Sequence, residues 1–393
     1  MIKIASRPNL KYPLYLIIST FLRKIISILN LKLLKTKESL IYTFLMFFGE
    51  LLAGFLLYRY QKNFTKRKYI RNEFYKFLSS PHFQKRLEMK KADSNIKICF
   101  LVFMTAFFDF FEFIISTYYI NKIPKISETL ELRLAGILIF ISSFLYRYLF
   151  KFPLYKHQKF SMSVIGICLI ILIISEYFFD EIDEDNEYKN LTIAILLSIL
   201  SQMAIAFNNT IEKYLMEFNF LNPFFILLCQ SSFGLIFVII CAIVENPIPD
   251  LKNIYDSNSM EMFIVFIILL LLYFVFGALK NIYRIITIML FNPMNKQLAD
   301  IIINPIYITY FFIEGGDFIK EGKRNYFYFF TNIFLLICFD IGGLIFNEFI
   351  IIFSCGLDFN TYESIVKRAA EADILGINQE DEEEEEKKSK EFL

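Results

Sequence analysis

Histidine is scarce in this chain: His82 and His157 are the only two in 393 residues. Both fall in polar connections between apolar runs, which argues against histidine-based metal or acid/base chemistry. The six cysteines, Cys99, Cys168, Cys229, Cys241, Cys338 and Cys355, are scattered, and none stands at a CxxC or other ligand spacing. They read as small core residues. With no nucleophile arrangement either, the chain is read as a non-enzyme that needs no cofactor and holds no metal. No apolar run followed by a small-residue cleavage site opens the chain, so no cleavable signal peptide is expected. Apolar and polar residues nowhere alternate with a period of two, which excludes a β-barrel. Net charge is nearly absent as well, +1 from 41 Lys and Arg against 40 Asp and Glu.

Apolar residues are abundant. They make up 56% of the chain, mean hydropathy is +0.48, and the 48 Phe cannot all be hidden in one soluble core. A bilayer core takes about 20 mostly apolar residues per helix. Ten runs approach that length: residues 12–31, 38–58, 98–119, 130–149, 160–179, 191–214, 224–244, 260–279, 298–313 and 327–349. The first is the weakest, because Arg23 and Lys24 fall inside it. The eighth can extend towards Leu290, and the ninth is short and interrupted by Asn304-Pro305. The expected class is therefore an all-α polytopic membrane protein with ten transmembrane helices.

Charge in the connections sets orientation, because basic loops stay in the cytosol. Residues 59–97 hold 12 Lys and Arg against Glu73, Glu88 and Asp93, whereas residues 180–190 hold six acids and one Lys. Three runs separate these loops, so they lie on opposite sides, and both termini are expected in the cytosol. Two halves with five spans each insert in opposite senses, the layout of two inverted five-helix repeats. The halves are residues 1–189 and 190–353. Residues 354–393 form a cytosolic tail whose segment 381–390 is a charge run expected to stay disordered.

Polar groups deep in apolar runs are costly unless they meet partners or water. Residues 191–214 carry Ser198, Ser201, Gln202, Asn208, Asn209 and Thr210, and the next run carries Cys229, Gln230, Ser231, Ser232 and Gly234. Charges cost more, about 2.5–3.5 kcal/mol each at mid-helix. Glu50 sits halfway along the second run and Asp109 halfway along the third, with Glu112 just beyond. They form a proton or cation relay, hold a cationic substrate group, or orient packed helices. Arg133, about a turn into the fourth run, suits an anionic substrate through its forked donors, with snorkelling to headgroups or pairing in the neighbourhood of Glu131 as the alternatives. Glu212 and Lys213 close the sixth run at the inner side, as Lys280 and Arg284 close the eighth. Glu212 paired with Lys280 or Arg284 would make a cytosolic gate. Asn208, Asn209, Gln202, Gln230 and Ser231 would line a cavity or join helices.

On these residues the chain resembles the drug/metabolite transporter superfamily, and most of all the nucleotide-sugar-transporter-like solute carrier family 35, F-type branch. The stretches that carry the resemblance are MFFGE (46–50), the Asp109 run, LRLAG (132–136), TIEKYL…NP…FGL (210–235), GGLIFNEFII (342–351) and CGLDFNTYESIVKR (355–368). The chain departs from the family pattern at Ile211, at Ser231 or Ser232, where an acid is expected, and near Asn304, where an Arg is expected. GALKN (277–281) is similar to the GALNK motif of GDP-mannose transporters with its last two residues exchanged. The resemblance implies an EamA-like solute carrier of an endomembrane, Golgi or lysosome. The expected function is secondary-active transport of a small polar or anionic, nucleotide-sugar-like metabolite by alternating access. The alternative is a non-transporting membrane scaffold with a transporter-like fold. Expected partners are the small-molecule substrate and the bilayer, with no nucleic acid and with a homodimer open.

Overall fold

The computed structural model describes residues 2–4, 11–34, 40–64, 94–115, 123, 129–150, 154–179, 185–245, 260–291, 293–314, 319–320, 323–353, 356–358, 361 and 364. A short strand β1 (Ile2–Ile4) precedes helices α1 (Lys11–Leu34), α2 (Leu40–Phe64), α3 (Asn95–Phe113), α4 (Leu130–Arg133), α5 (Gly136–Phe150) and α6 (Lys156–Phe179). Then come α7 (Asp185–Phe218), α8 (Pro223–Glu245), α9 (Met260–Leu290), α10 (Pro293–Ile301) and α11 (Asn304–Glu314). Strands β2 (Ile319–Lys320) and β3 (Lys323–Arg324), helix α12 (Tyr326–Phe346) and strand β4 (Ile350–Ile352) complete the order. Among the described residues, seven helices are long and apolar enough to cross a membrane: α1, α2, α6, α7, α8, α9 and α12. Helix α3 has the length but carries Lys97, Asp109 and Glu112. The chain is a helical, membrane-embedded protein.

Local chemistry sets the helix ends. Ser94 caps α3 by accepting from the Lys97 amide at 3.4 Å, and Asn325 caps α12 by accepting from Tyr328 at 3.0 Å. Pro223 and Pro293 open α8 and α10, where a missing N–H costs nothing. Helix α7 starts earlier than its apolar run, inside the acidic connection, so the boundary drawn at 189/190 falls within its first turns. The fourth apolar run, expected to be continuous, is broken at Leu134–Ala135 between α4 and α5. The ninth is broken at Ile302–Ile303, immediately before Asn304-Pro305, as its sequence suggests.

Packing brings α1 against α9, α9 against α2, α2 against α8, α8 against α3, α3 against α7, α7 against α5, α5 against α10, and α10 back against α1. These contacts close a ring. Helices α6 and α12 pair with each other outside it, with α12 also touching α10 and α11. The ring closes tightly where small residues allow it: a Cβ on Gly234 of α8 would stand 2.5 Å from the Phe47 ring of α2. One apolar core joins Leu134, Ile139, Ile165, Leu172 and Phe339, and another joins Val102, Leu215, Ile226, Ile285 and Ile288.

The polarity of the bundle is inside out relative to a soluble protein. Large apolar side chains such as Phe144, Phe178, Leu196, Ile243 and Leu271 are exposed, while Glu50, Glu212, Lys213, Arg284 and Lys296 are buried. An exposed belt of this extent is stable only against lipid. Strand β1 pairs antiparallel with β4, Ile2 opposite Ile352, so the segments before α1 and after α12 lie on one side of the bundle. Residues 65–93 of the basic loop and the charge run 381–390 lie outside the described residues.

Candidate functional site

Helices α2, α3, α7, α8 and α9 bring polar side chains from five apolar runs together. Arg284 lies about 9 Å from the end of α9, six residues at 1.5 Å each. Its Nη1 donates to both carboxylate oxygens of Glu212, at 2.8 and 2.9 Å, and reaches Asn209 Oδ1 at 3.5 Å. Its Nη2 donates to Gln230 Oε1 at 3.2 Å. All four side chains are buried. A charged pair in such surroundings persists only when hydrogen bonds complete it, which the two amides do. Of the two cations considered for Glu212, Arg284 takes it.

One turn deeper, Glu50 Oε1 accepts from Asn281 Nδ2, and Asp109 Oδ1 accepts from Asn208 Nδ2 at 3.2 Å. An amide satisfies a lone pair but does not neutralise a charge. Glu50 Oε2, Asn208 Oδ1, Asn209 Nδ2, Gln230 Nε2 and Gln202 Oε1 are buried and make no hydrogen bond among the described residues. The charges of Asp109, Arg284, Lys280 and Glu212 all act on Glu50, and those of Glu131, Asp109, Lys280 and Lys296 on Glu112. Glu112, Lys280 and Asp300 stand on ring helices and are only half-buried.

Other charges on α1 and α10 are partnered, whereas Asp340 on α12 is buried with no hydrogen bond or ion pair among the described residues. Lys296 and Asp300 pair along α10 at 2.7 Å. Arg23 donates to the Tyr273 hydroxyl at 2.8 Å, and Lys24 donates to Asn304 Oδ1 at 3.3 Å. The two residues that made the first run look weak as a span are thus what ties α1 to α9 and α11. Asn304 Nδ2 also donates to the Leu132 carbonyl at 2.9 Å. The break between α4 and α5 interrupts the helical ladder at that carbonyl, so a side chain at one broken helix caps the other.

The sequence-predicted residues divide into groups. Glu50, Asp109, Asn208, Asn209, Glu212, Gln230, Lys280 and Arg284 converge, and Gln202 is buried on the same α7. Ser231 is on α8 beside Gln230, but its hydroxyl returns to the carbonyls of Leu227 and Leu228. Arg133 is elsewhere, held between α4, α6 and α12. It pairs with Glu176 at 2.9 Å, bonds the Tyr328 hydroxyl and is 1% exposed, so it does not snorkel to headgroups. Lys213 does not end its helix: α7 runs on to Phe218, and Lys213 pairs with Glu217 at 2.9 Å and donates to Met289 O at 3.0 Å. His157 is in the first turn of α6 rather than a connection, 3.4 Å from Glu348. Glu176 was missed, although an acid inside an apolar run is a readable signal. Asn304 was singled out only as a break and Asn281 only as the end of GALKN (277–281), neither as a site residue. No protein-family model matches the chain, and no curated protein matches it either.

Proposed function

We propose that the chain is a secondary-active transporter of a small polar or anionic metabolite, nucleotide-sugar-like in its polarity, working by alternating access. Its ten crossing segments are α1, α2, α3, the broken α4/α5 and α6, followed by α7, α8, α9, the broken α10/α11 and α12. The observation that carries this reading is the half-buried set of charges on the helices of a ring whose outer face is apolar. Charges deep in a bilayer protein mark substrate or ion pathways.

The pairing pattern supports two inverted halves. Exchanging the halves, so that the first segment becomes the sixth and so on, turns the α1–α9 contact into α7–α3 and the α2–α9 contact into α8–α3. It turns the α7–α5 contact into α1–α10 and leaves α2–α8, α5–α10 and α6–α12 unchanged. All of these contacts occur. The broken segment is the fourth of each half, and the two breaks meet through Asn304. Discontinuous helices in corresponding positions are the usual surroundings of a midplane binding site. An even number of crossings agrees with the β1–β4 pairing, and the basic loop then puts both termini in the cytosol of an endomembrane. In this reading the Glu212–Arg284 pair, with Gln230 and Asn209, closes the cytosolic side, while Glu50 and Asp109 serve coupling or recognition.

A membrane scaffold is the second reading, favoured by the amide that each of Glu50 and Asp109 already holds. The test is reconstitution in liposomes, with exchange of radiolabelled nucleotide sugars, nucleotides and amino acids measured for the natural chain and for Glu50→Gln. Exchange of one solute class that Glu50→Gln abolishes supports transport. No exchange by the natural chain for any class leaves the scaffold.

A further inference from the structure

On the ring helices, Glu112 and Lys280 make no hydrogen bond and no ion pair among the described residues; Asp340, buried on α12 outside the ring, is likewise without a partner there. Glu112 and Lys280 are half-buried, and each lies within electrostatic reach of the other. Their helices explain why. On α3 the exposed stripe is Ile96, Phe100, Phe103 and Phe107, and on α9 it is Ile264, Ile267, Ile268, Leu271, Leu272 and Val275. Both stripes follow one side of their helix. At about 100° per residue, Glu112 lies about 180° from Phe103, nine residues on, and Lys280 lies about 180° from Leu271, also nine residues on. Each charge therefore points away from lipid, at the same register of its helix.

These two helices are the third segments of the two halves, so under the inverted-repeat reading Glu112 and Lys280 are equivalent positions carrying opposite charges. Inversion places them on opposite sides of the midplane. Counted along their helices, Glu112 is about 25 Å from the start of α3 and Lys280 about 15 Å from the end of α9, and both of those ends lie on the side of the basic loop. Glu50 and Asp109 stand on α2 and α3, whereas Arg23 and Lys24 stand on α1.

We propose that the ligand of this ring is a zwitterion, whose ammonium group binds Glu112 and whose carboxylate binds Lys280. This rests on the transport reading and narrows its substrate from polar or anionic to one bearing both charges. A ligand of either sign alone leaves one buried charge uncompensated, whereas a zwitterion answers both. Gln202, 5% exposed with an unpartnered amide, is placed on α7 to hydrogen-bond the same molecule.

The test uses the purified full chain in nanodiscs at fixed ionic strength, with ligand-induced thermal stabilisation as the readout. The probes are glycine, β-alanine, 4-aminobutyrate and 6-aminohexanoate, with butyrate and butylamine as single-charge controls. Stabilisation by at least one ω-amino acid and by neither control is expected. Glu112→Gln and Lys280→Met each weaken that binding about 10- to 100-fold, as loss of a hydrogen bond to a charged group does. The exchanged variant, Glu112→Lys with Lys280→Glu, restores at least part of it, because a zwitterion can bind reversed. That variant also controls for misfolding of the single variants. The proposal is overturned if no zwitterion stabilises the protein, if butyrate or butylamine does so equally well, or if binding is indifferent to both residues. An anion-only ligand such as a nucleotide sugar that binds and exchanges would overturn it while leaving transport intact. Failure of every solute to exchange would remove the transport reading itself.

Discussion

Glu212 and Arg284 offer the sharpest test of the interior. Removing Glu212 as Glu212→Met leaves the Arg284 guanidinium, 5% exposed, with only Gln230 and Asn209 to hold it. Breaking a buried pair from one side costs about 3–5 kcal/mol in soluble proteins, and a lone charge at mid-helix costs about 2.5–3.5 kcal/mol in membranes. The ranges meet near ~3 kcal/mol. Arg284→Met costs a similar ~3 kcal/mol by leaving the Glu212 carboxylate unpaired. Independent effects would sum to ~6 kcal/mol. The double variant, however, holds no buried charge and loses mainly the Gln230 bond, about 1 kcal/mol. A coupling of about 5 kcal/mol is therefore expected, and the double variant is more stable than either single one. Reversible unfolding in mixed micelles, titrated with sodium dodecyl sulfate, gives all four free energies. A double variant as unstable as the sum of its parts refutes the buried pair.

Other perturbations probe other links by the same assay. Gly234→Ala drives a methyl into Phe47, itself fully buried, and is expected to cost about 1–3 kcal/mol by overpacking the α2–α8 contact. Asn304→Leu uncaps the Leu132 carbonyl and strips a partner from Lys24, for an expected loss of about 1–3 kcal/mol, and the Arg133 and Leu134 amides that hold α4, outside the substituted helix, become faster to exchange in hydrogen-exchange measurements. Arg133→Met strands Glu176 and is expected to cost about 3 kcal/mol, largely recovered when Glu176→Met is added. Glu50→Gln keeps an oxygen for Asn281 and is expected to change stability by less than about 1 kcal/mol.

How far the sequence reached depends on the range of the force involved. Apolar runs are local, so the crossing helices could be read directly, as could the break at Asn304-Pro305, where proline removes a donor. The break at Leu134–Ala135 has no such mark. Gly136 follows it, but what holds it open is Asn304, 172 positions away. A one-dimensional pattern cannot encode that contact. Charges inside apolar runs were readable as anomalies, and Glu50, Asp109, Glu212 and Arg284 all proved to lie in the interior. Their partners were not readable. Lys280 and Arg284 are four apart and face the same way, so nothing in the sequence decides between them for Glu212. The ring order decides, by putting the inner third of α7 against Arg284 and leaving Lys280 a turn deeper. Arg23 and Lys24 carry the lesson furthest. Scored alone, each makes its run a poor span. Read with Tyr273 and Asn304, they join the Ile26 packing in holding that helix to the bundle. An intramembrane charge is thus informative about function chiefly after its partner is known. Once Arg284, Arg23, Lys24, Lys296 and Arg133 are matched, Glu112 and Lys280 remain without partners on the ring helices, with Asp340 on α12 outside it.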